Sequence, residues 1–380
     1  MADIKALIAE FEEIALNPAK SAAQLKKESG KKLIGMFPYQ LPEEIVYAAG
    51  MLPVGMWGGQ TEFKLSNKYL QSFCCSLIKA NVELGMNGTY KGILDGVIMA
   101  AYCDTLKCIC EDWKVAVVEP TGMPLIAMYY PQNRKIAAAV PYMQAEFEKA
   151  QAQLEAIAGK KVTEADLEAA WAVYEAYRAE SRKFVKNVAK LPKTLNATTR
   201  HLIIKAAQFM DKKVYAEKLA ALNAAIEAAP AEEFKGKKVL VEGIMVEPIA
   251  LLDSFVENDV CIVADDLAQQ SRMFRVEGRK EGTVYEKMAY RIVDAYADPL
   301  LLDEKKEHGE ELIKMVKEAG ADGVVVCAMK FCDPEEYDYP IFKKQLEAAG
   351  IPVLYMEIEQ QMASVEQYKT RIQAFAETLA

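Results

Sequence analysis

Histidine is almost absent from this chain: among 380 residues there are two, His201 and His308. So few imidazoles leave little for a zinc-hydrolase constellation or a Ser-His-Asp triad. His201 lies in an apolar helical run and His308 in a charged one, so both read as structural or solvent-facing. Positive charge is in deficit as well. Lys and Arg total 46 against 55 Asp and Glu, a net charge of -9, which argues against a surface built to neutralise nucleic-acid phosphates.

No apolar run reaches the length of a membrane span. The opening segment carries Ile4, Leu7, Ile8 and Phe11 at helical spacing, with acids between them and no cleavable apolar stretch. A cytoplasmic protein with no membrane and no nucleic-acid partner is the expectation. The glycine-rich phosphate cradles GxGxxG and GxxxxGK are missing too, so ATP is not expected to bind here in that manner. Eight cysteines in such a compartment are expected to be reduced, which leaves metal, redox or packing roles rather than a disulfide framework.

What the chain does have is a sizeable core and a repeat. Hydrophobic residues make up 52% and charged residues 27%, and the length exceeds what one core usually serves, so two domains are expected. Asp95-Gly-Val-Ile-Met-Ala-Ala-Tyr-Cys103-Asp reads as a buried parallel strand that ends in a thiol. Asp322-Gly-Val-Val-Val-Cys327-Ala-Met-Lys-Phe-Cys332-Asp repeats the pattern.

Other segments pair in the same order. Lys31-Lys-Leu-Ile-Gly-Met-Phe matches Lys237-Lys-Val-Leu-Val-Glu-Gly, the run from Pro42 matches that from Pro248, and the strand at Met51–Trp57 matches that at Asn258–Asp265. The strand expected at Lys114-Val-Ala-Val-Val-Glu is paired with Ile351-Pro-Val-Leu-Tyr-Met-Glu, and Leu125–Tyr130 adds a further strand. The fold class is therefore α/β: two related doubly wound parallel-sheet domains with helical insertions and a cleft between them. The expected division is an N-terminal α/β domain over 1–140, a helical linking segment over 141–235 and a C-terminal α/β domain over 236–380.

In the linking segment Thr163-Glu-Ala-Asp166 is a capping-box variant, and Leu167, Trp171, Tyr174, Val185 and Val188 form an apolar stripe. Ser66 to Leu84 reads as one helix carrying Cys74 and Cys75. Cys108 and Cys110 fall on different faces of a helix and read as packing thiols. Cys261 and Cys327 lie mid-strand and read as core. Arg272, after the acidic pair Asp265-Asp266, reads either as part of a solvated loop or as a cation aimed into the cleft at an anionic ligand.

Ligands gather at the carboxyl ends of strands in open α/β sheets. Cys103 and Cys332 stand just past such ends and, with a third thiol from Cys74-Cys75, are expected to converge on one iron–sulfur cluster. Structural zinc usually recruits closely spaced pairs, which these residues do not form. Three ligands would leave one iron without a protein thiol.

At Phe73-Cys-Cys-Ser-Leu-Ile-Lys-Ala-Asn-Val-Glu-Leu-Gly-Met, Cys103-Asp-Thr-Leu-Lys-Cys, Lys330-Phe-Cys-Asp-Pro-Glu-Glu-Tyr-Asp and Thr370-Arg-Ile-Gln-Ala-Phe the chain resembles the two-subunit 2-hydroxyacyl-CoA dehydratases, relatives of benzoyl-CoA reductases. It is most similar to the β subunit of the (R)-2-hydroxyglutaryl-CoA branch. The resemblance implies a 4Fe-4S cluster held by Cys75, Cys103 and Cys332, with Cys74 a one-residue alternative to Cys75. Ser76 stands where relatives often have Pro.

The resemblance also implies a hydro-lyase reaction, (R)-2-hydroxyglutaryl-CoA to glutaconyl-CoA, in which an electron added to the thioester gives a ketyl radical that expels the hydroxyl. The implied partners are an α subunit in a heterodimer or heterotetramer, an ATP-hydrolysing iron–sulfur activator and the acyl-CoA substrate. The cluster of a β subunit would relay or tune the electron. Some members carry FMN, for which no residue here is assigned. Two alternatives stand beside this: the substrate-binding subunit of a related dehydratase or reductase, and a two-lobed binding or assembly protein whose cysteines only pack.

Overall fold

The structure is a computed structural model that describes residues 3–295, 298–302 and 304–379. Helices α1 (Ile4–Leu16) and α2 (Pro18–Ser29) open the chain. The first sheet unit runs β1 (Leu33–Phe37), α3 (Glu43–Ala48), β2 (Leu52–Gly55), α4 (Ser76–Met86), β3 (Gly96–Ala100), α5 (Asp104–Trp113), a one-turn α6 (Glu119–Thr121) and β4 (Leu125–Met128). Four helices follow, α7 (Ala139–Ala158), α8 (Glu164–Asn187), α9 (Ala197–Ala206) and α10 (Lys212–Ala228). The second unit is β5 (Lys237–Gly243), α11 (Ile249–Glu257), β6 (Val260–Leu267), α12 (Val284–Val293), α13 (His308–Ala319), β7 (Gly323–Met329), α14 (Asp333–Ala348), β8 (Val353–Ile358) and α15 (Glu366–Thr378).

Each unit is a four-stranded sheet of parallel strands, ordered β2-β1-β3-β4 and β6-β5-β7-β8. The two orders are the same, as the sequence repeat implies. In both, the chain reverses its direction of travel across the sheet after the second strand. The crevice at the carboxyl ends therefore opens between β1 and β3 and between β5 and β7.

The Asp-Gly pairs show why the repeat is so plain in sequence. The backbone N–H of Asp95 donates to the Leu33 carbonyl at 2.8 Å, while its carboxylate accepts from the Leu33 N–H at 2.8 Å and faces Lys26 at 2.9 Å. Asp322 does the same to Lys238, at 2.7 Å in both directions. Each aspartate thus closes the first rung between neighbouring strands, and the glycine after it enters the register opposite Ile34 or Val239. At Gly323 a Cβ would approach Phe375 of α15 to 2.9 Å.

Side-chain alternation distributes the second sheet between two layers. Val239, Val241, Val325 and Cys327 pack with Leu251, Leu252 and Phe255 of α11, whereas Leu240, Val324 and Val326 meet Leu312, Val316, Phe342 and Leu346 of α13 and α14. Cys327 is therefore core, as is Cys261. In the helical block, Thr163 and Asp166 form the reciprocal cap at the start of α8. Trp171, Tyr174 and Val188 are buried. Helix α1 joins that block through Phe11, whose ring meets Tyr215 edge-on at 5.4 Å.

Three expectations are corrected. Lys114–Val118 is not a strand; it continues α5 as a wider π turn, because Trp113, Ala116 and Val117 are buried at helical spacing. The counterpart of β8 is accordingly β4, the edge strand beside β3. Ser66–Leu84 is not one helix. Glu83 accepts the N–H groups of Leu65 and Ser66 at 2.8 Å each and folds the preceding segment back, so that α4 begins only at Ser76. Cys110 is buried, but Cys108 is exposed on the opposite face of α5 and is not a packing thiol.

Replacing Asp95 or Asp322 by Ala is expected to lower stability by about 1–2 kcal/mol through loss of the strand-closing hydrogen bond, read as a lower urea midpoint at unchanged slope. Asp95→Asn should recover part of the loss.

Candidate metal centre at the lobe interface

Cys75, Cys103 and Cys332 each occupy the N-cap position of a helix, α4, α5 and α14 respectively, and none caps its helix with a conventional side-chain hydrogen bond. All three line one pocket of about 560 Å³ at the carboxyl ends of the sheets. Two come from the first lobe and one from the second. The three positions that the sequence singled out thus line the same pocket. Cys74 is 3% exposed within the first core, its Sγ 3.7 Å from the Cys75 carbonyl oxygen and its thiol beside that of Cys75.

The backbone at the pocket favours negative charge on sulfur, and the rest of the surroundings oppose it. The free N–H groups at helix N-termini carry partial positive charge, and backbone N–H groups of Ile78, Leu106 and Glu335 act on Cys75, Cys103 and Cys332. Burial opposes this without a cation. The Cys74 thiol and then burial hold the Cys75 thiol well above the ordinary range. Burial pushes Cys103 up to about 11. Cys332 is raised by burial, then by Glu335 and by the other two cysteines.

The three thiols do not close up around a single small ion. Among the described residues, the one trio of potential ligand atoms within 4.8 Å of one another is Glu242, Asp266 and His308, not the thiols. A tetrahedral zinc would need its sulfurs closer than that, given bonds of about 2.3 Å. A larger inorganic core suits soft thiolates spaced more widely.

The trio that does close up is already occupied by a cation. Arg272 pairs with both oxygens of Asp266 at 3.0 Å and with Glu242 at 3.1 Å, and Arg275 also pairs with Asp266. Arg272 is 2% exposed, so it does not sit in a solvated loop, and its Nη1 has no hydrogen-bond partner. His308 is buried rather than solvent-facing. It begins α13, the helix whose place before β7 matches that of α4 before β3. Its Nε2 bonds Asp266 at 2.8 Å and its Nδ1 bonds Asp338, so the ring is engaged on both nitrogens. His201 is likewise buried, between Glu247 and Gln270 at 3.3 and 2.9 Å.

Sequence reasoning missed the groups that hold the lobes together here. Ser76 is 1% exposed. Its hydroxyl contacts Met329 at 3.3 Å and accepts the Gln360 N–H at 3.1 Å, while Gln360 Nε2 donates to the Trp57 carbonyl at 2.6 Å. Phe331, immediately before Cys332, has φ of 65°, which turns the chain sharply into α14. Glu335, one turn into α14, accepts the Met329 N–H at 3.0 Å. Burial and the nearby Glu242 hold its carboxyl above the usual range. A Glu three residues after a helix-capping position was the available signal.

A family model described as 2-hydroxyglutaryl-CoA dehydratase, D-component, matches residues 38–379. The chain belongs to this family. It is 41% identical to the lactoyl-CoA dehydratase subunit beta of Anaerotignum propionicum over 100% of both chains. It is 38% identical to the (R)-phenyllactyl-CoA dehydratase beta subunit of Clostridium sporogenes, over 97% of this chain and 98% of that one. Identity is also 38% to the (R)-2-hydroxyglutaryl-CoA dehydratase subunit beta of Acidaminococcus fermentans, over 99% and 100%. As a member of the 2-hydroxyglutaryl-CoA dehydratase D-component family, the chain is matched along nearly its whole length, so both lobes fall within the similarity. Among the described residues no helix is long and apolar enough to cross a membrane.

Burial works against a charged His308, but its bonds to Asp266 and Asp338 win and raise it to about 9. The pairing therefore stabilises fully below pH of about 6.5, the ordinary histidine value, and that stabilisation is lost as pH rises through 9. His308→Gln is expected to cost about 3 kcal/mol at pH 6, with the gap in thermal midpoint to the unmodified protein narrowing by pH 10. Ser76→Ala should cost about 1–2 kcal/mol, read in the same melts.

Proposed function

We propose that the chain is the β subunit of an iron–sulfur 2-hydroxyacyl-CoA dehydratase, a hydro-lyase acting with an α subunit and an ATP-hydrolysing iron–sulfur activator. The subunit role and the reaction class rest on family membership and on three relatives named as beta subunits of such dehydratases. The observation that carries the metal assignment is the meeting of three helix-capping thiols from two lobes in one pocket.

Cys75, Cys103 and Cys332 would hold a 4Fe-4S cluster, which supplies one-electron chemistry to the elimination of water from carbons two and three of the acyl thioester. The protein's own contribution is electrostatic and steric. The N-termini of α4, α5 and α14 stabilise anionic sulfur. The closed lobe contact through Ser76 and Gln360 keeps the thiols in register, and burial limits water at the pocket. Acting as the β subunit, this chain relays or tunes the electron while its partner holds substrate.

(R)-2-Hydroxyglutaryl-CoA, giving glutaconyl-CoA, is the substrate proposed from the resemblance. Relatives named for lactoyl- and (R)-phenyllactyl-CoA stand at equal or greater identity, so the activity assay should compare all three thioesters. FMN in the complex is carried as a proposal without assigned residues.

Anaerobic purification should yield about four irons and about four sulfides per chain, together with a second subunit. Cys103→Ala and Cys332→Ala should lose the cluster absorption, while Cys74→Ala keeps it. A colourless, iron-free chain prepared strictly without oxygen would refute the cluster.

A further inference from the structure

Cys74 and Cys75 are neighbours in sequence, and their thiols are also neighbours in space. Successive side chains on an extended segment point to opposite sides. Here a turn closed by the Cys74 N–H on the Gln71 carbonyl, at 3.3 Å, bends the chain just before α4. Both sulfurs come to one side of the bend, where the two thiols are hydrogen-bonded to each other. The pair is asymmetric in access. Cys75 lines the pocket at the carboxyl ends of the sheets, whereas Cys74 is 3% exposed within the first core.

The cluster reading uses Cys75 and leaves Cys74 without a task. An accessible thiol with a shielded thiol against it is the arrangement of a pair that oxidises reversibly: the first meets the oxidant and the second resolves the product. Cys103 and Cys332 share the pocket with Cys75, but the three sulfurs do not all lie within 4.8 Å of one another. Cys74 is therefore the thiol best placed to reach an oxidised Cys75.

We propose that Cys74 and Cys75 form a redox modification site, in which a peroxide oxidises Cys75 and Cys74 captures it as a vicinal disulfide. Hydrogen peroxide transfers one oxygen to the Cys75 sulfur, giving a sulfenic acid and water. The Cys74 sulfur then attacks that sulfur, the S–O bond breaks, and the hydroxyl leaves with the Cys74 proton as a second water. Two thiols are oxidised and one peroxide is reduced. The first step is slow in the resting chain, because the thiolate is the reacting form and Cys75 is held as the thiol, so it takes peroxide in excess. The peptide between the two residues is trans, and adjacent Cα atoms are then about 3.8 Å apart. Unstrained disulfides begin at about 4.4 Å, so this one is readily reduced again. It withdraws the Cys75 sulfur from the pocket and shields it from the sulfinic and sulfonic acids, which do not revert. The value of that shielding rests on the reading of Cys75 as a cluster ligand, whereas the chemistry of the pair does not.

The test treats the full chain, purified without oxygen, with excess hydrogen peroxide and reads it by mass spectrometry after alkylation and tryptic digestion without reduction. Cleavage after Lys68 and Lys79 isolates Cys74 and Cys75 on one peptide that holds no other cysteine. The expected result is that peptide two hydrogens lighter and unalkylated, with both thiols recovered on adding a dithiol. In Cys74→Ser, Cys75 should instead appear as the sulfinic or sulfonic acid, and the dithiol should recover nothing. Iron measured before and after the peroxide, dithiol and iron–sulfide reloading sequence should return in the unmodified chain and be lost in the variant. Cys74→Ala, apolar like its surroundings, reads the same loss if the serine variant folds poorly. Peptides joining Cys75 to Cys103 or Cys332 in place of the lighter peptide, or equal recovery of Cys75 with and without Cys74, would overturn the proposal. A lighter, reducible peptide in a chain that never takes up iron would support the pair and defeat the cluster reading alone.

Discussion

Three helix N-termini facing one small volume is the constraint from which the rest of this molecule follows. A parallel sheet places the start of each following helix at its carboxyl edge, and every such start presents unpaired backbone N–H groups. One sheet alone directs α4 and α5 toward the pocket, carrying Cys75 and Cys103. The duplicated sheet brings α14 and Cys332 against them. What favours anionic sulfur here is the backbone, against burial and the neighbouring acids, which raise all three thiols.

Around that focus the second lobe is heavily charged inside. Asp266 is bonded by Arg272, Arg275 and His308, and Arg272 reaches Glu242 as well. Burying charges is expensive unless each is paired, and here nearly every partner is supplied from the carboxyl ends of β5 and β6 or from the start of α13. The arrangement makes a rigid polar floor beneath the thiols.

The lobe contact is polar where the thiols sit. Ser76, Gln360 and the Trp57 carbonyl form a chain of hydrogen bonds across it, next to Cys75 in sequence. A serine hydroxyl at this position serves the interface as well as the turn. The segment carrying Asp298 crosses in the other direction, from the second half of the sequence onto Tyr39 and Arg134 of the first. Each half thus completes the other's edge of the pocket.

The repeat was legible from residues alone, because Asp95-Gly and Asp322-Gly each close the same rung of a parallel sheet and cannot be moved by one residue without losing it. Strand-end cysteines were legible for the same reason: a strand's end is marked locally, by the polar residue that stops it. Val115 to Val118 misled because a short apolar run has the same composition in a strand and on a helix, and only its packing on Gly85 and its neighbours decides. His308, Arg272 and Asp298 were hidden in charged or loop-like stretches, where composition suggests solvent. Their burial is created by contacts with residues far along the chain, so tertiary structure alone decided that they line or support the pocket, and it did so because charge can enter a protein interior only where distant partners arrive to neutralise it.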